Sequence, residues 1–182
     1  MTISLDSLKL TYEHYLLIPE DGKRHEIING VHFVNSAPNL FHQAISRRIQ
    51  FQLYPQIELA GHGVVINAPV DVRLDKHSIV QPDLVIVLSN NNSILTKPKI
   101  DGVPDLMIEI LSPSNPKHDR ETKMQLYLQS AVGEYWIVDP MREVVEQYVL
   151  ADGGYQLLDH DDKIQLAVMK DVTVDITNLW QQ

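Results

Sequence analysis

Leu106-Met107-Ile108-Glu109-Ile110-Leu111 is an apolar run with one carboxylate inside it. Short apolar runs bounded by turn residues read as strands buried on both faces. Ser112-Pro113-Ser114-Asn115-Pro116 supplies the boundary here. A carboxylate in such a strand is costly unless something pairs with it, and a metal ion is one good partner. A second run, Val80-Gln81-Pro82-Asp83-Leu84-Val85-Ile86-Val87-Leu88, places Asp83 near its start. If the two strands are neighbours, about 4.8 Å apart, both carboxylates reach one divalent cation. Crowded together without metal, they are expected to raise at least one pKa by repulsion and desolvation.

The segments around these strands supply the rest of a fold. Residues 4–17 read as a short helix capped by Ser4 or Asp6. Arg24–Ile28 and Val31–Asn35 flank Asn29-Gly30, the strongest short hairpin signal, because both turn residues tolerate φ > 0. Asn39 is placed to cap a helix over residues 40–59, where Phe41, Ile45, Ile49, Leu53 and Ile57 recur at helical spacing. Pro55 is expected to kink or end that helix near Tyr54. One or two strands follow over Val64–Ile66 and Pro69–Leu74, then the Asp83 strand. The polar stretch from Asn90 to Val103 is expected to be the most mobile loop. After the Glu109 strand, Asn115 and Pro116 suit the start of a helix over 117–131, stopped by Gly133. Glu134–Val138, Val144–Leu150, Gly154–Leu158 and Ile164–Met169 read as strands. The order predicts a single α/β (α+β) domain over residues 1–182, a mixed sheet flanked by helices.

Composition narrows the function classes. The chain has 182 residues and no cysteine, so disulfides, thiolate zinc sites and thiol nucleophiles are excluded. No apolar stretch is long enough for a membrane span and no signal peptide is visible, so a reducing, cytoplasmic setting is expected. The net charge of −9 argues against a generally basic nucleic-acid surface. Residues 1–133 hold 14 acidic and 12 basic side chains, whereas residues 134–182 hold 10 and 3. A polyanion should therefore meet the first two thirds, where Arg47, Arg48, Lys97, Lys99, Lys117, Arg120 and Lys123 lie.

Three pairs of residues are candidates for chemistry. Asp83 and Glu109, backed by a backbone carbonyl such as that of Ile110, suit Mg²⁺ or Mn²⁺. The bland alternative is a turn acid and a paired strand acid. Asp119 and Lys123 stand four apart, hence on one helix face. As a surface pair they contribute only about 0.3–0.5 kcal/mol, yet a lysine folded back over the Glu109 strand can orient water or steady charge on phosphate. Glu26 on the hairpin and His42 at a helix start are accessory candidates for a metal or phosphate contact. Glu134-Tyr135-Trp136-Ile137-Val138-Asp139-Pro140 reads as structural.

Taken together, Pro82-Asp83, the segment from Pro104 to Ser114, Asp119, Lys123 and Glu134–Pro140 resemble a large bacterial family of restriction-endonuclease-like proteins in the PD-(D/E)XK nuclease superfamily. His25–Gly30 and the Pro38 to Gln43 helix entry belong to the same likeness, which runs from about residue 11 to the C-terminus. The resemblance implies a core of helix, three strands, helix and strand, with an N-terminal hairpin and extra C-terminal strands. It implies that Asp83 and Glu109 hold the metal. The superfamily places a lysine two residues after the second acid, where this chain has Leu111. Lys123 is the implied replacement. The expected activity is Mg²⁺- or Mn²⁺-dependent hydrolysis of DNA, with room for a homodimer. The rivals are a non-catalytic binding protein that keeps the fold, and a hydrolase of RNA or small phosphodiesters.

Overall fold

The computed structural model describes residues 9–35, 37–112 and 118–181, without the side chains of His118 and Asp119. Its elements are α1 (Tyr12–Tyr15), β1 (Arg24–Ile28), β2 (Val31–Asn35), α2 (Leu40–Ile57), β3 (Gly63–Asn67), β4 (Val72–Asp75), β5 (Ser78–Val80), β6 (Leu84–Leu88), β7 (Ile100–Asp101), β8 (Leu106–Ile110), α3 (Met124–Gln129), β9 (Glu134–Asp139), β10 (Val144–Ala151), β11 (Gly154–Leu158), β12 (Lys163–Gln165) and β13 (Thr173–Asp175). The strands divide over a sheet ordered β2-β1-β5-β4-β7, a sheet ordered β11-β10-β9-β8-β6-β3, and the small β12-β13 pair. No helix among the described residues is long and apolar enough to cross a membrane.

The six-stranded sheet is the centre of the fold. β6 runs antiparallel to its neighbours β3 and β8, and β9 lies parallel to β8. A parallel neighbour needs a crossover, and the segment containing α3 makes it. Helix α2, strands β3, β6 and β8, helix α3 and strand β9 therefore reproduce the expected order of helix, three strands, helix, strand. Both faces of β6 and β8 are covered, which is why those strands read as continuous apolar runs. On one face Ile45, Ile49, Leu53 and Ile57 of α2 pack with Leu84, Ile86, Ile108 and Ile110. On the other, Val85, Val87 and Met107 pack with Leu126 and Tyr127 of α3.

The hairpin has the expected register, with Ile28 opposite Val31 and Asn29 at φ 52°. Several expectations are corrected. The N-terminal helix spans only Tyr12–Tyr15 with Thr11 as its cap, while Ser4 and Asp6 lie outside the described residues. Helix α2 passes through Pro55 to Ile57. A proline in the last turn forfeits one backbone bond there, and the burial of Ile57 holds the turn. The Val80–Leu88 run is two strands. Pro82, with no N–H for a ladder, sits in the break where the chain leaves β5 for β6. The stretch after Leu88 carries a 3-10 turn at Ser89–Ile94 and strand β7. The Asp105 carboxylate ties it down by accepting from Leu88 N at 2.8 Å and Asn91 Nδ2 at 3.2 Å.

The segment read as one helix over 117–131 begins with a π-helical turn, His118–Lys123, before α3. Four-residue spacing does not define one face in a π turn, so the spacing of Asp119 and Lys123 fixes no shared face. The proposed cap at Asn115 and Pro116 lies outside the described residues. Ala131, at φ 58°, turns the chain out of the helix ahead of Gly133. The last expected strand is shorter, Lys163–Gln165, and pairs with β13, which the sequence reading missed.

Candidate active site

The site forms where the two large sheets meet. β1 contributes from one sheet, β8 from the other, and Asp83 from the link that joins them. The register opposes Leu84 to Ile108, so one step outward brings Asp83 toward Glu109. On β8, Ile108 and Ile110 face α2. Strand alternation turns Glu109 the other way, toward α3. Glu109 is 1% exposed and Asp83 2%.

Each carboxylate is held by named donors. Asp83 Oδ2 accepts the Ile110 N–H at 2.9 Å. Its Oδ1 accepts from Arg24 Nη1 at 2.6 Å and lies 3.0 Å from His42 Nε2. His42 sits in the first turn of α2, where its own N–H bonds the Asn39 side chain at 2.8 Å, the expected cap. Glu109 Oε1 accepts from Lys123 Nζ at 2.9 Å and Tyr127 Oη at 2.6 Å. Lys123 Nζ is also 2.9 Å from Glu26 Oε1. Glu26, fully buried, further accepts the Gln81 N–H at 2.7 Å and Asn35 Nδ2 at 2.6 Å.

The structure thus brings together Asp83, Glu109, Lys123, Glu26 and His42. Lys123 is not a surface lysine: it is 1% exposed. The side chain of Asp119 lies outside the described residues. Ile110 meets Asp83 through its N–H. Arg24, Asn35, Gln81 and Tyr127 were missed, although two of them carried a signal. Arg24 stands two before Glu26 on a strand, hence on the same face. Tyr127 stands four after Lys123 at the start of α3. Helix placement depends on Arg120, which bonds Glu146 at 2.7 Å and Asp139 at 2.9 Å and so fixes the π turn against β9 and β10. Glu134 confirms a structural reading of its motif: it accepts from Trp136 Nε1 at 2.6 Å, Gln147 Nε2 at 2.7 Å and the Ala167 and Val168 N–H groups at 2.8 and 3.0 Å.

At Asp83 the balance of burial and partners runs downward. Burial works to raise its pKa. The hydrogen bond and charge of His42, the Arg24 guanidinium and the Ile110 N–H outweigh burial and hold the carboxyl below its usual range. Tyr127 moves the other way: burial and then the charges of Glu109 and Glu26 push its phenol well above normal, so it remains a donor. A depressed folded pKa stabilises the fold above the unfolded value of about 3.9, and that contribution is lost as pH falls through the folded pKa. The stability gap between wild type and Asp83→Asn should therefore be widest near neutrality and narrow below about pH 4. Thermal melts across pH 2.5 to 7 would measure it, and a constant gap would contradict this assignment.

The donor set suits a hard divalent cation by chemistry, since its acids are all oxygen ligands. Among the described residues it also holds three carboxylates against Arg24 and Lys123, so its charge accommodates a further cation. As arranged, however, no group of three or more His, Asp or Glu side chains among the described residues is placed to hold a metal. Asp83 and Glu109 are instead engaged by the protein's own donors. A metal ion would have to displace one of those basic partners.

The overall fold has a close solved counterpart. The crystal structure of a "putative nuclease belonging to DUF820" from Anabaena variabilis superimposes with a TM-score of 0.77 at 19% identity, covering 94% of this chain and 97% of that one. At that identity the likeness establishes the fold. Comparison with curated proteins gave no match. The family model described as "Putative restriction endonuclease" matches residues 12–177, a span that includes every residue of the cluster. With the expected core order and the nuclease fold both in place, the chain belongs to this family, Uma2.

Proposed function

We propose that the chain is a Mg²⁺- or Mn²⁺-dependent endonuclease that hydrolyses DNA phosphodiester bonds. The observation that carries this reading is the buried ammonium of Lys123, 2.9 Å from both Glu109 and Glu26, beside Asp83 at the junction of the sheets. Asp83 and Glu109, with the Ile110 carbonyl, would hold the ion. When bound, it would polarise a phosphate oxygen and lower the pKa of a coordinated water.

The chain's own groups supply the remainder. Leu111, where the superfamily has its lysine, is buried against apolar neighbours, so the ammonium comes from the π turn instead of the strand. Released from one carboxylate, Lys123 can donate to the attacking water or to a phosphate oxygen as charge develops. Glu26 would keep hold of it at 2.9 Å. Tyr127 fixes Glu109, and His42 and Arg24 orient Asp83.

One observation favours the non-catalytic reading. The acids are already paired, and a satisfied polar cluster is a stable endpoint in itself. Thermal melting separates the two. A ligand that binds only the folded state at 100 times its Kd stabilises by about 2.7 kcal/mol. The nuclease reading expects Tm to rise by several degrees in millimolar Mn²⁺, and to lose that rise in Asp83→Asn. An unchanged Tm would favour the non-catalytic protein.

A further inference from the structure

Beside the cluster lies a cavity of about 640 Å³ that the roles above leave unused. Its size falls within the range of about 300–1,000 Å³ typical of small-molecule sites. Pro19, Pro38 and Pro69 give it rigid apolar surface. Its polar groups converge: Tyr15 Oη donates to Asp71 Oδ1 at 2.7 Å, and Gln81 Nε2 donates to the same oxygen at 2.8 Å and to Tyr15 Oη at 3.0 Å. Half of its lining residues are polar or charged, Lys23 and Arg24 among them, and placed polar groups beside apolar surface are what orient a ligand.

Two residues join this cavity to the cluster. Gln81 lines it and gives its backbone N–H to Glu26. Arg24 lines it and holds Asp83, while its Nε is buried without an acceptor among the described residues. A buried donor left unsatisfied calls for an explanation, and a phosphate held between cavity and cluster would give Arg24 an anionic neighbour. A ligand in the cavity is therefore adjacent to the proposed point of cleavage.

A second, independent observation concerns duplex DNA. Binding a duplex relies largely on neutralising phosphates with Lys and Arg, and the chain carries a net charge of −9. Of the basic residues in its first two thirds, Lys123 is buried, Lys99 and Arg120 are ion-paired, and Arg48 bonds the Leu179 carbonyl. Among the described residues of that part, Lys9, Lys23, Arg47, Lys76 and Lys97 are exposed, each on a separate segment, and Lys23 pairs with Asp21. Five dispersed cations in a chain of net negative charge are a modest supply for gripping a helix. An unpaired nucleotide needs fewer, because its base offers an apolar face and hydrogen-bonding edges.

We infer that this cavity takes one unpaired nucleotide of a DNA strand next to the scissile phosphate, so that the site acts on single-stranded or locally opened DNA in preference to intact duplex. The position relative to cleavage rests on the nuclease reading; the binding preference does not. The test is fluorescence anisotropy in EDTA at fixed salt, with the full chain and a fluorescein-labelled eight-nucleotide DNA strand, beside the same sequence as a blunt hairpin duplex. The single strand should bind at least about tenfold more tightly, the scale of one stacked base. Ala37→Trp and Gln43→Trp each place a bulky ring at an exposed lining position. Both should erase the preference while leaving Tm unchanged, and either folded variant suffices. Equal binding of the two probes, or an undiminished preference in a folded variant, would overturn the inference. Cleavage of duplex and single strand alike, with no binding preference, would overturn it while leaving the nuclease reading intact. A preserved preference without any cleavage would support the cavity and count against the nuclease reading.

Discussion

Lys123→Ala should lower the unfolding free energy by about 3–5 kcal/mol, the cost of removing one partner from a buried ion pair. Lys123 is 1% exposed and its ammonium lies between two carboxylates. Truncation leaves Glu26 and Glu109 facing each other with their shared cation gone, and both desolvation and repulsion then penalise their charged forms. A surface lysine paired with Asp119 would cost a few tenths of a kcal/mol instead. The sequence alone favoured that mild folding effect, and burial reverses it. Turnover should also fall by about 10²-fold or more, as for loss of one group that stabilises the transition state. Urea unfolding and a cleavage assay on one purified variant measure both. A stability change below about 0.5 kcal/mol would contradict the buried bridge.

Glu109→Gln should fold with a smaller loss yet fail in function. The amide keeps the shape of the side chain and still offers an oxygen to Tyr127 and Lys123, while Glu26 remains to pair Lys123. What disappears is the negative charge that a divalent cation requires. The Mn²⁺-dependent rise in Tm should vanish, and cleavage should drop by about 10²-fold or more. Retained metal stabilisation together with retained cleavage would move the metal-binding role away from Glu109.

The parts of this site that the sequence carried are those encoded by local pattern. An acid inside an apolar run marked Glu109, and the run before Leu88 marked Asp83, because buried strands leave few reasons for a charge. The Asn29-Gly30 turn fixed the hairpin that presents Glu26. What stayed hidden depends on how distant segments meet. Pro82 signals a break in the run from Val80, but nothing in the chain announces that the two parts join different sheets, and that passage is what brings Glu26 to Lys123. The π turn at His118–Lys123 has no propensity signature, so helical spacing paired Lys123 with Asp119, and only the order of the chain, a helix directly after the Glu109 strand, set Lys123 near the site. Arg24 was passed over although its alternation with Glu26 placed both on one face. Its role as partner of Asp83 required knowing that β1 closes over the link before β6.

The most direct test of the central claim is nicking of supercoiled plasmid DNA by the purified chain in Mn²⁺, with Glu109→Ala prepared in parallel. Negative supercoiling favours local opening of the duplex, which suits the substrate inferred above. Wild type should convert supercoiled plasmid to the open-circular form, EDTA should stop the reaction, and Glu109→Ala should leave the plasmid intact. Nicking that persists at equal rate in Glu109→Ala, or intact plasmid with folded wild type in both Mn²⁺ and Mg²⁺, would contradict the account.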